Sequence, residues 1–126
     1  MSKTEFFNDG SVFLLEDKDV DVNGHLVIDD KPVFVMIFGS FCGYCTKAEP
    51  EFQKLATAMK ARGILLAAVQ SDGSPSERAL AQRLVPNMEG VPTFALFKNG
   101  NFMEIYSGER NAGAMARYLV NRLGSG

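Results

Sequence analysis

The sequence predicts an α/β domain in which a central mixed β-sheet is flanked by helices, and three observations support this fold class. A continuous apolar segment at 32–38 is followed by a helical pattern at 42–62 and a second apolar segment at 64–69. A strand, a crossover helix and a second strand form a parallel unit. Two further strand patterns surround Asn99-Gly100, a pair typical of a tight antiparallel hairpin.

Size and charge narrow the possible functions. The chain has 126 residues, enough for one domain, so we expect a single domain over residues 1–126. Apolar residues make up 46% of the chain and charged residues 22%, which supports a buried core. The net charge is −2 and no basic stretch is present, so nucleic acid is not expected as a partner. The longest apolar segment is too short to span a bilayer, and no membrane partner is expected.

The two ends of the sequence suggest a compartment. Asp9, Glu16 and Asp17 interrupt any apolar core of a signal peptide, and no small-residue cleavage site follows. The last residues contain neither a retention tetrapeptide nor a lipidation cysteine. On this basis we expect a cytoplasmic location.

The N-terminal third is predicted to contain strand-like residues at 11–15. The segment at 17–30 alternates apolar and polar residues around Asn23-Gly24, which favours a hairpin over a helix. The segment at 32–38 predicts a strand buried on both faces, because its apolar residues are continuous rather than alternating.

The rest of the chain predicts three helices and two further strands. Between the cysteines and residue 62, apolar residues recur at helical spacing, as Phe52, Leu55, Ala56 and Met59. A short helix is expected from residue 76 to residue 84, strands at 93–98 and 102–106, and a final helix at 112–123. The inner face of that last helix is expected to carry Met115, Leu119 and either Arg122 or Leu123.

Cys42 and Cys45 are the two cysteines of the chain, and they lie between the buried strand and the helix. A disulfide across so short a loop removes little chain entropy, so the pair indicates reactivity or metal binding rather than a structural link. A helix N-terminus offers unpaired N–H groups and a positive dipole end, which stabilise a thiolate at Cys42. Cys42 is therefore the predicted nucleophile, and Cys45 the thiol that resolves a mixed disulfide.

The residues around this pair resemble the thioredoxin superfamily, and most of all a catalytic domain of protein disulfide isomerase type. Four matches carry the resemblance, from about residue 33 to residue 124. They are Phe41-Cys42-Gly43-Tyr44-Cys45 for the aromatic-Cys-Gly-x-Cys motif, Pro50 for the helix proline, Gly90-Val91-Pro92-Thr93 for Gly-x-Pro-Thr, and Lys98-Asn99-Gly100 for the hairpin turn. Residues 1–31 lie outside the resemblance as a divergent strand and turn segment, and residues 32–124 form the core.

The resemblance implies a thioredoxin-like fold and a thiol–disulfide oxidoreductase that acts on protein substrates with thiols or disulfides. It implies a cis bond at Val91–Pro92, with the Val91 backbone pairing with an extended substrate. Phe41, Gly43 and Tyr44 are expected to complete the substrate-binding surface. No cofactor or metal is expected beyond the redox-active disulfide, which an external reductase or glutathione would reduce or oxidise. The protein is expected to be a monomer.

A fifth match concerns Arg110. The segment at 106–110 and the later Tyr118, Leu119 and Arg122 resemble the isomerase branch, in which an arginine swings toward the second cysteine and favours its thiolate. Arg110 is thereby implied as a modulating residue.

The sequence also departs from the family. Met36 stands where the family has a buried carboxylate that accepts a proton from the second cysteine, and Ala68 where it often has a lysine. We therefore expect slower turnover than in relatives that keep the acid. Two other functions stay open. One is a client-binding module with little redox turnover. The other is a dimer bridged by a metal or cluster, since zinc bound within one chain needs four ligands and only His25 could join the cysteines.

Overall fold

The computed structural model describes residue 7 and residues 10–28 and 30–124. The strands are β1 (Phe13–Leu14), β2 (Val33–Phe38), β3 (Leu65–Gln70), β4 (Thr93–Lys98) and β5 (Asn101–Tyr106), and the helices are α1 (Gly43–Lys60), α2 (Pro75–Leu84) and α3 (Ala112–Leu123). The strands form one sheet in the order β1-β3-β2-β4-β5. β1 and β2 run parallel to β3, whereas β4 is antiparallel to both β2 and β5. The predicted mixed sheet flanked by helices is confirmed.

The central strand β2 is buried along its whole length, which explains its unbroken apolar sequence. One face of the sheet packs against α1 and α3, and the other packs against α2. Phe34 lies at the centre of the first face and is 0% exposed. Its ring centroid is 5.8 to 6.0 Å from four other rings, those of Phe52, Phe94, Tyr106 and Tyr118. This aromatic cluster joins the sheet to both helices.

The last helix is fixed at both ends by polar contacts. Asn111 caps α3, because its Oδ1 accepts the N–H of Ala114 at 2.8 Å. Near the other end, Glu104 of β5 accepts from the guanidinium of Arg122 at 2.7 and 3.0 Å, and from the Tyr118 hydroxyl at 2.6 Å. The hydrogen bonds from Arg122 and Tyr118 lower the pKa of the Glu104 carboxyl. These contacts attach α3 to β5, the strand that leads into the 106–110 segment.

The inner face of α3 and the hairpin turn agree with expectation. Met115 and Leu119 are buried, Leu123 is partly buried, and Arg122 is exposed. Asn99 and Gly100 both have left-handed backbone, with φ values of 54° and 80°. This is the conformation that a two-residue hairpin turn requires.

The N-terminal third differs from the prediction. The strand expected at 11–15 is only two residues long, and the hairpin expected at 17–30 does not form two strands. In its place are a 3₁₀ turn at Asp17–Asp19 and a single antiparallel bridge between Val20 and Leu26. Two hydrogen bonds flank this bridge, from the Asp21 N–H to the His25 carbonyl at 2.9 Å and from the Val27 N–H to the Asp19 carbonyl at 3.0 Å, and on its other side the Leu26 N–H donates to the Gly100 carbonyl at 2.8 Å. Residue 29 lies outside the described residues.

The core also contains a residue that the sequence did not single out. Phe7 is 2% exposed and contacts Phe38 and Phe52, with ring centroids 5.4 and 5.7 Å apart. Its N–H donates to Glu49 Oε2 at 2.7 Å. Phe7 therefore covers the end of β2 and one side of α1.

None of the described helices combines the length and apolarity needed to cross a bilayer. Within residue 7 and residues 10–28 and 30–124, no three His, Cys, Asp or Glu side chains come together as a metal site.

Candidate active site

Cys42 and Cys45 form a disulfide at the start of α1. Cys42 is the N-cap of the helix, with extended backbone, and its Sγ accepts the N–H of Cys45 at 3.1 Å. No acidic residue occupies the first turn of α1. Cys45 is 0% exposed and Cys42 is partly exposed, so an external thiol can reach only the first sulfur. The helix end that favours a thiolate thus coincides with the accessible cysteine.

The short connection from β2 to α1 depends on Gly39. A Cβ at this position would lie 3.3 Å from Val91 Cγ2 and 3.8 Å from Cys42 Cβ. A side chain at Gly39 would require Val91 to shift by a few tenths of an ångström. Gly39 therefore lies at the close contact between the motif and the loop that contains Val91.

That loop forms the opposite side of the site. The Val91–Pro92 peptide bond is cis, as the resemblance implied. Pro92 is buried and Val91 is partly buried against the core. The Thr93 hydroxyl donates to the Gly90 carbonyl and closes the loop. A groove of about 590 Å³ runs beside it, lined in part by Val91, Pro92 and Arg110.

The two aromatic residues of the motif face solvent. Phe41 is 100% exposed and Tyr44 is 67% exposed. Gly43 between the cysteines is exposed as well. Arg110 lies above the Tyr44 ring, with its guanidinium carbon 5.5 Å from the ring centroid. The structure therefore brings Arg110 to the motif, although its partner in this disulfide form is Tyr44.

The position of Arg110 follows from the turn after β5. The Tyr106 hydroxyl donates to the Glu109 carbonyl, which folds the chain back over the tyrosine. A Cβ at Gly108 would lie 2.6 Å from the Tyr106 hydroxyl oxygen, so this turn has no room for a side chain. The turn places Arg110 at the rim of the groove.

Met36 and Ala68 are direct partners in the parallel pairing of β2 and β3. Both are 0% exposed, and Met36 packs in the same cluster as Cys45. The place expected for a buried acid and its lysine is thus an apolar pair in the buried cluster that also contains the second cysteine. Neither side chain can accept a proton.

A disulfide with one reachable sulfur, set at a helix N-terminus on this sheet, is the site arrangement of the thiol–disulfide oxidoreductases of thioredoxin-like fold. The chain belongs to the thioredoxin family, because the family model described as Thioredoxin matches residues 15–121.

Individual relatives agree with the isomerase-type resemblance. The chain is 30% identical over 103 residues to a probable protein disulfide isomerase, ER-60, of Schistosoma mansoni, covering 81% of this chain and 21% of that protein. It is 30% identical over 110 residues to a thioredoxin-like protein, 453L, of Invertebrate iridescent virus 6, covering 74% of this chain and 80% of that protein. The zinc-bound form of human ERp44 matches in fold, with a TM-score of 0.71 and 23% identity over 91% of this chain and 31% of that chain. The chain spans about a fifth of the isomerase that it matches.

The expected cytoplasmic location is wrong on this comparison. The matching protein disulfide isomerases, among them ER-60, and the structural neighbours ERp44 and ERdj5 are proteins of the endoplasmic reticulum, although a viral protein also matches. The expectation relied on the composition of the terminal residues, and that composition does not determine the compartment.

The sequence did not identify Asp72, which the structure places beside the motif through hydrogen bonds to Ser40. A usable signal existed, because Asp72 follows β3 as Ser40 follows β2, and neighbouring parallel strands end at the same edge of a sheet.

Proposed function

We propose that this domain exchanges disulfides in protein substrates, with Cys42 as nucleophile and Cys45 as resolving thiol. The observation that carries the proposal is the unequal exposure of the two sulfurs at the start of α1. An enzyme that forms mixed disulfides needs one thiol that substrates reach and a second that reacts only within the site.

The proposed reaction has two steps. The Cys42 thiolate attacks one sulfur of a substrate disulfide, which forms a mixed disulfide and releases the other substrate sulfur as a thiolate. The Cys45 thiolate then attacks Cys42 Sγ, which forms the Cys42–Cys45 disulfide and releases the second substrate thiolate. Two electrons pass from the domain to the substrate. An external thiol reverses the sequence and regenerates the dithiol.

The surface around Cys42 suits an extended protein segment. Phe41 and Tyr44 supply exposed aromatic area, and exposed Gly43 leaves the approach to Cys42 open. Val91 and Pro92 border the groove, where the Val91 backbone would pair with the substrate chain. We propose protein thiols and disulfides as substrates, glutathione or a reductase as redox partner, and a monomer as the working unit.

Insulin reduction tests the proposal. Substoichiometric wild-type protein is expected to accelerate the reduction of insulin disulfides by dithiothreitol, measured as turbidity.

Buried Met36 and Ala68, where the family has an acid and a lysine, favour a second candidate, a client-binding module with little redox turnover. That module would leave the dithiothreitol rate unchanged while still retaining an unfolded client.

The apolar pair in the buried cluster that contains Cys45 gives a prediction on rate. Met36→Asp or Met36→Glu is expected to speed single-turnover exchange, because a carboxylate at this position can accept the proton of Cys45. The gain is expected to be about a hundredfold, the lower end of the range for a positioned base. Stopped-flow measurement with a peptide disulfide checks it. Met36→Leu is the matched control, and a gain in that variant too would remove the explanation.

Arg110 gives a prediction on reoxidation. A cation within about 4–6 Å favours a thiolate by at least about tenfold. If Arg110 moves from Tyr44 to Cys45 after reduction, Arg110→Ala is expected to slow reoxidation by oxidised glutathione by about tenfold. Arg110→Lys retains the charge and is expected to recover part of the rate. Unchanged kinetics in Arg110→Ala would contradict a modulating role and would show that Arg110 is a surface residue that only stacks on Tyr44.

A further inference from the structure

Asp72 follows β3 at the edge of the sheet where the motif begins, and the proposed exchange steps do not use it. Its two carboxylate oxygens accept the Ser40 N–H at 3.1 and 3.0 Å, and Oδ2 also accepts the Ser40 hydroxyl at 3.0 Å. The amide of Gln70, a residue only 5% exposed, donates to Oδ1 at 2.8 Å. Donors from two chain segments thus hold the carboxylate in place.

The held carboxylate lies near the nucleophile. A Cβ on Gly39 would be 3.5 Å from Asp72 Oδ2 and 3.8 Å from Cys42 Cβ, so the two groups flank the same glycine. Ser40 precedes Cys42 by two residues, and its anchored N–H fixes the turn from which α1 begins.

Asp72 is charged at neutral pH. Burial opposes its ionisation, but the hydrogen bonds from Gln70 and Ser40 outweigh that effect and lower the pKa of the Asp72 carboxyl. Cys42 itself lies at the positive end of α1, whose first turn contains no acidic residue, and its Sγ accepts the N–H of Cys45. Asp72 brings a fixed negative charge to this end of the helix.

We propose that Asp72 is a positioning residue that anchors the Ser40 turn and opposes the thiolate form of Cys42, which makes the dithiol a stronger reductant. The inference rests on the proposed exchange function. A nearby like charge disfavours a thiolate, in opposition to the helix end that favours it. A less stable thiolate makes the dithiol easier to oxidise to the disulfide.

Asp72→Asn tests the charge, because the amide retains the size of the side chain and an acceptor for Ser40. In glutathione buffer the protein disulfide and two reduced glutathione molecules give the dithiol and one oxidised glutathione. We expect this equilibrium to move about threefold toward the dithiol, the effect of unit charges about 7 Å apart in water. The ultraviolet absorbance of the Cys42 thiolate is expected to develop at a lower pH. Both shifts are expected to shrink in 1 M salt.

Ser40→Ala is the matched control, since it removes one hydrogen bond and leaves the charge of Asp72. We expect its equilibrium and thiolate titration to stay near those of wild type. No shift in Asp72→Asn, an equal shift in Ser40→Ala, or a shift that salt does not reduce would overturn the inference. Failure of the proposed function is distinguishable, because wild type itself would then not equilibrate with glutathione, which overturns both.

Discussion

Cys45→Ser is expected to convert the domain into a covalent trap for its substrates. Cys42 is the sulfur that substrates can reach, so the variant can still form a mixed disulfide. The serine hydroxyl cannot release it, because resolution requires a second thiolate at the buried position. Non-reducing electrophoresis with a client that holds disulfides, such as scrambled ribonuclease, is expected to reveal an adduct that dithiothreitol removes.

Cys42→Ser is the matched control for the trap. This variant keeps a single cysteine that is 0% exposed, so we expect no adduct. Its turnover in insulin reduction is expected to fall by roughly three orders of magnitude or more, as for loss of a nucleophile. Equal trapping by both variants would contradict the assignment of roles, since it would mean that substrates reach either sulfur.

Phe34→Ala is expected to cause the largest loss of stability among single changes in the aromatic cluster. Its side chain is 0% exposed and contacts rings from β4, β5, α1 and α3. Truncation of a buried phenylalanine costs about 3–5 kcal/mol, through lost apolar burial and the cavity that remains. Small domains are stable by only about 5–15 kcal/mol, so the variant is expected to lose a large share of its free energy of unfolding.

Urea unfolding of the oxidised protein, followed by circular dichroism, measures this loss. Phe41→Ala is the control, because Phe41 is 100% exposed and its removal leaves no cavity. Its free energy of unfolding is expected to stay within about 0.5 kcal/mol of wild type. Similar losses in the two variants would show that the aromatic cluster does not concentrate the packing energy of the core.

The parts of the fold that follow from local pattern were predictable from the sequence. Strand β2 follows from its unbroken apolar residues, the β4–β5 hairpin from Asn99-Gly100, and α3 from its amphipathic spacing. In the segment at 17–30 the alternation around Asn23-Gly24 indicated the turn, but not that the pairing stops at one bridge or that the Leu26 N–H donates to Gly100, far away in the chain. Local alternation carries no information about such a partner.

The candidate site also has parts that the sequence predicts and parts that only the structure shows. The cysteines, their helix and the cis-proline loop were found from motifs, and their assigned roles stay predictions. The contact between Arg110 and Tyr44 and the bonds from Asp72 to Ser40 required the structure, since both join segments distant in sequence. Asp72 and Ser40 are 32 residues apart, and neither belongs to a recognised motif.

A redox titration of the Cys42–Cys45 pair tests the central claim most directly. The protein is equilibrated in glutathione buffers of graded potential, its free thiols are alkylated, and the two forms are separated by mass. We expect one reversible two-electron transition in which both thiols titrate together, at a potential between about −270 and −120 mV. A disulfide that stays oxidised down to about −300 mV would be a structural link and would contradict the assignment of this pair as an exchange centre.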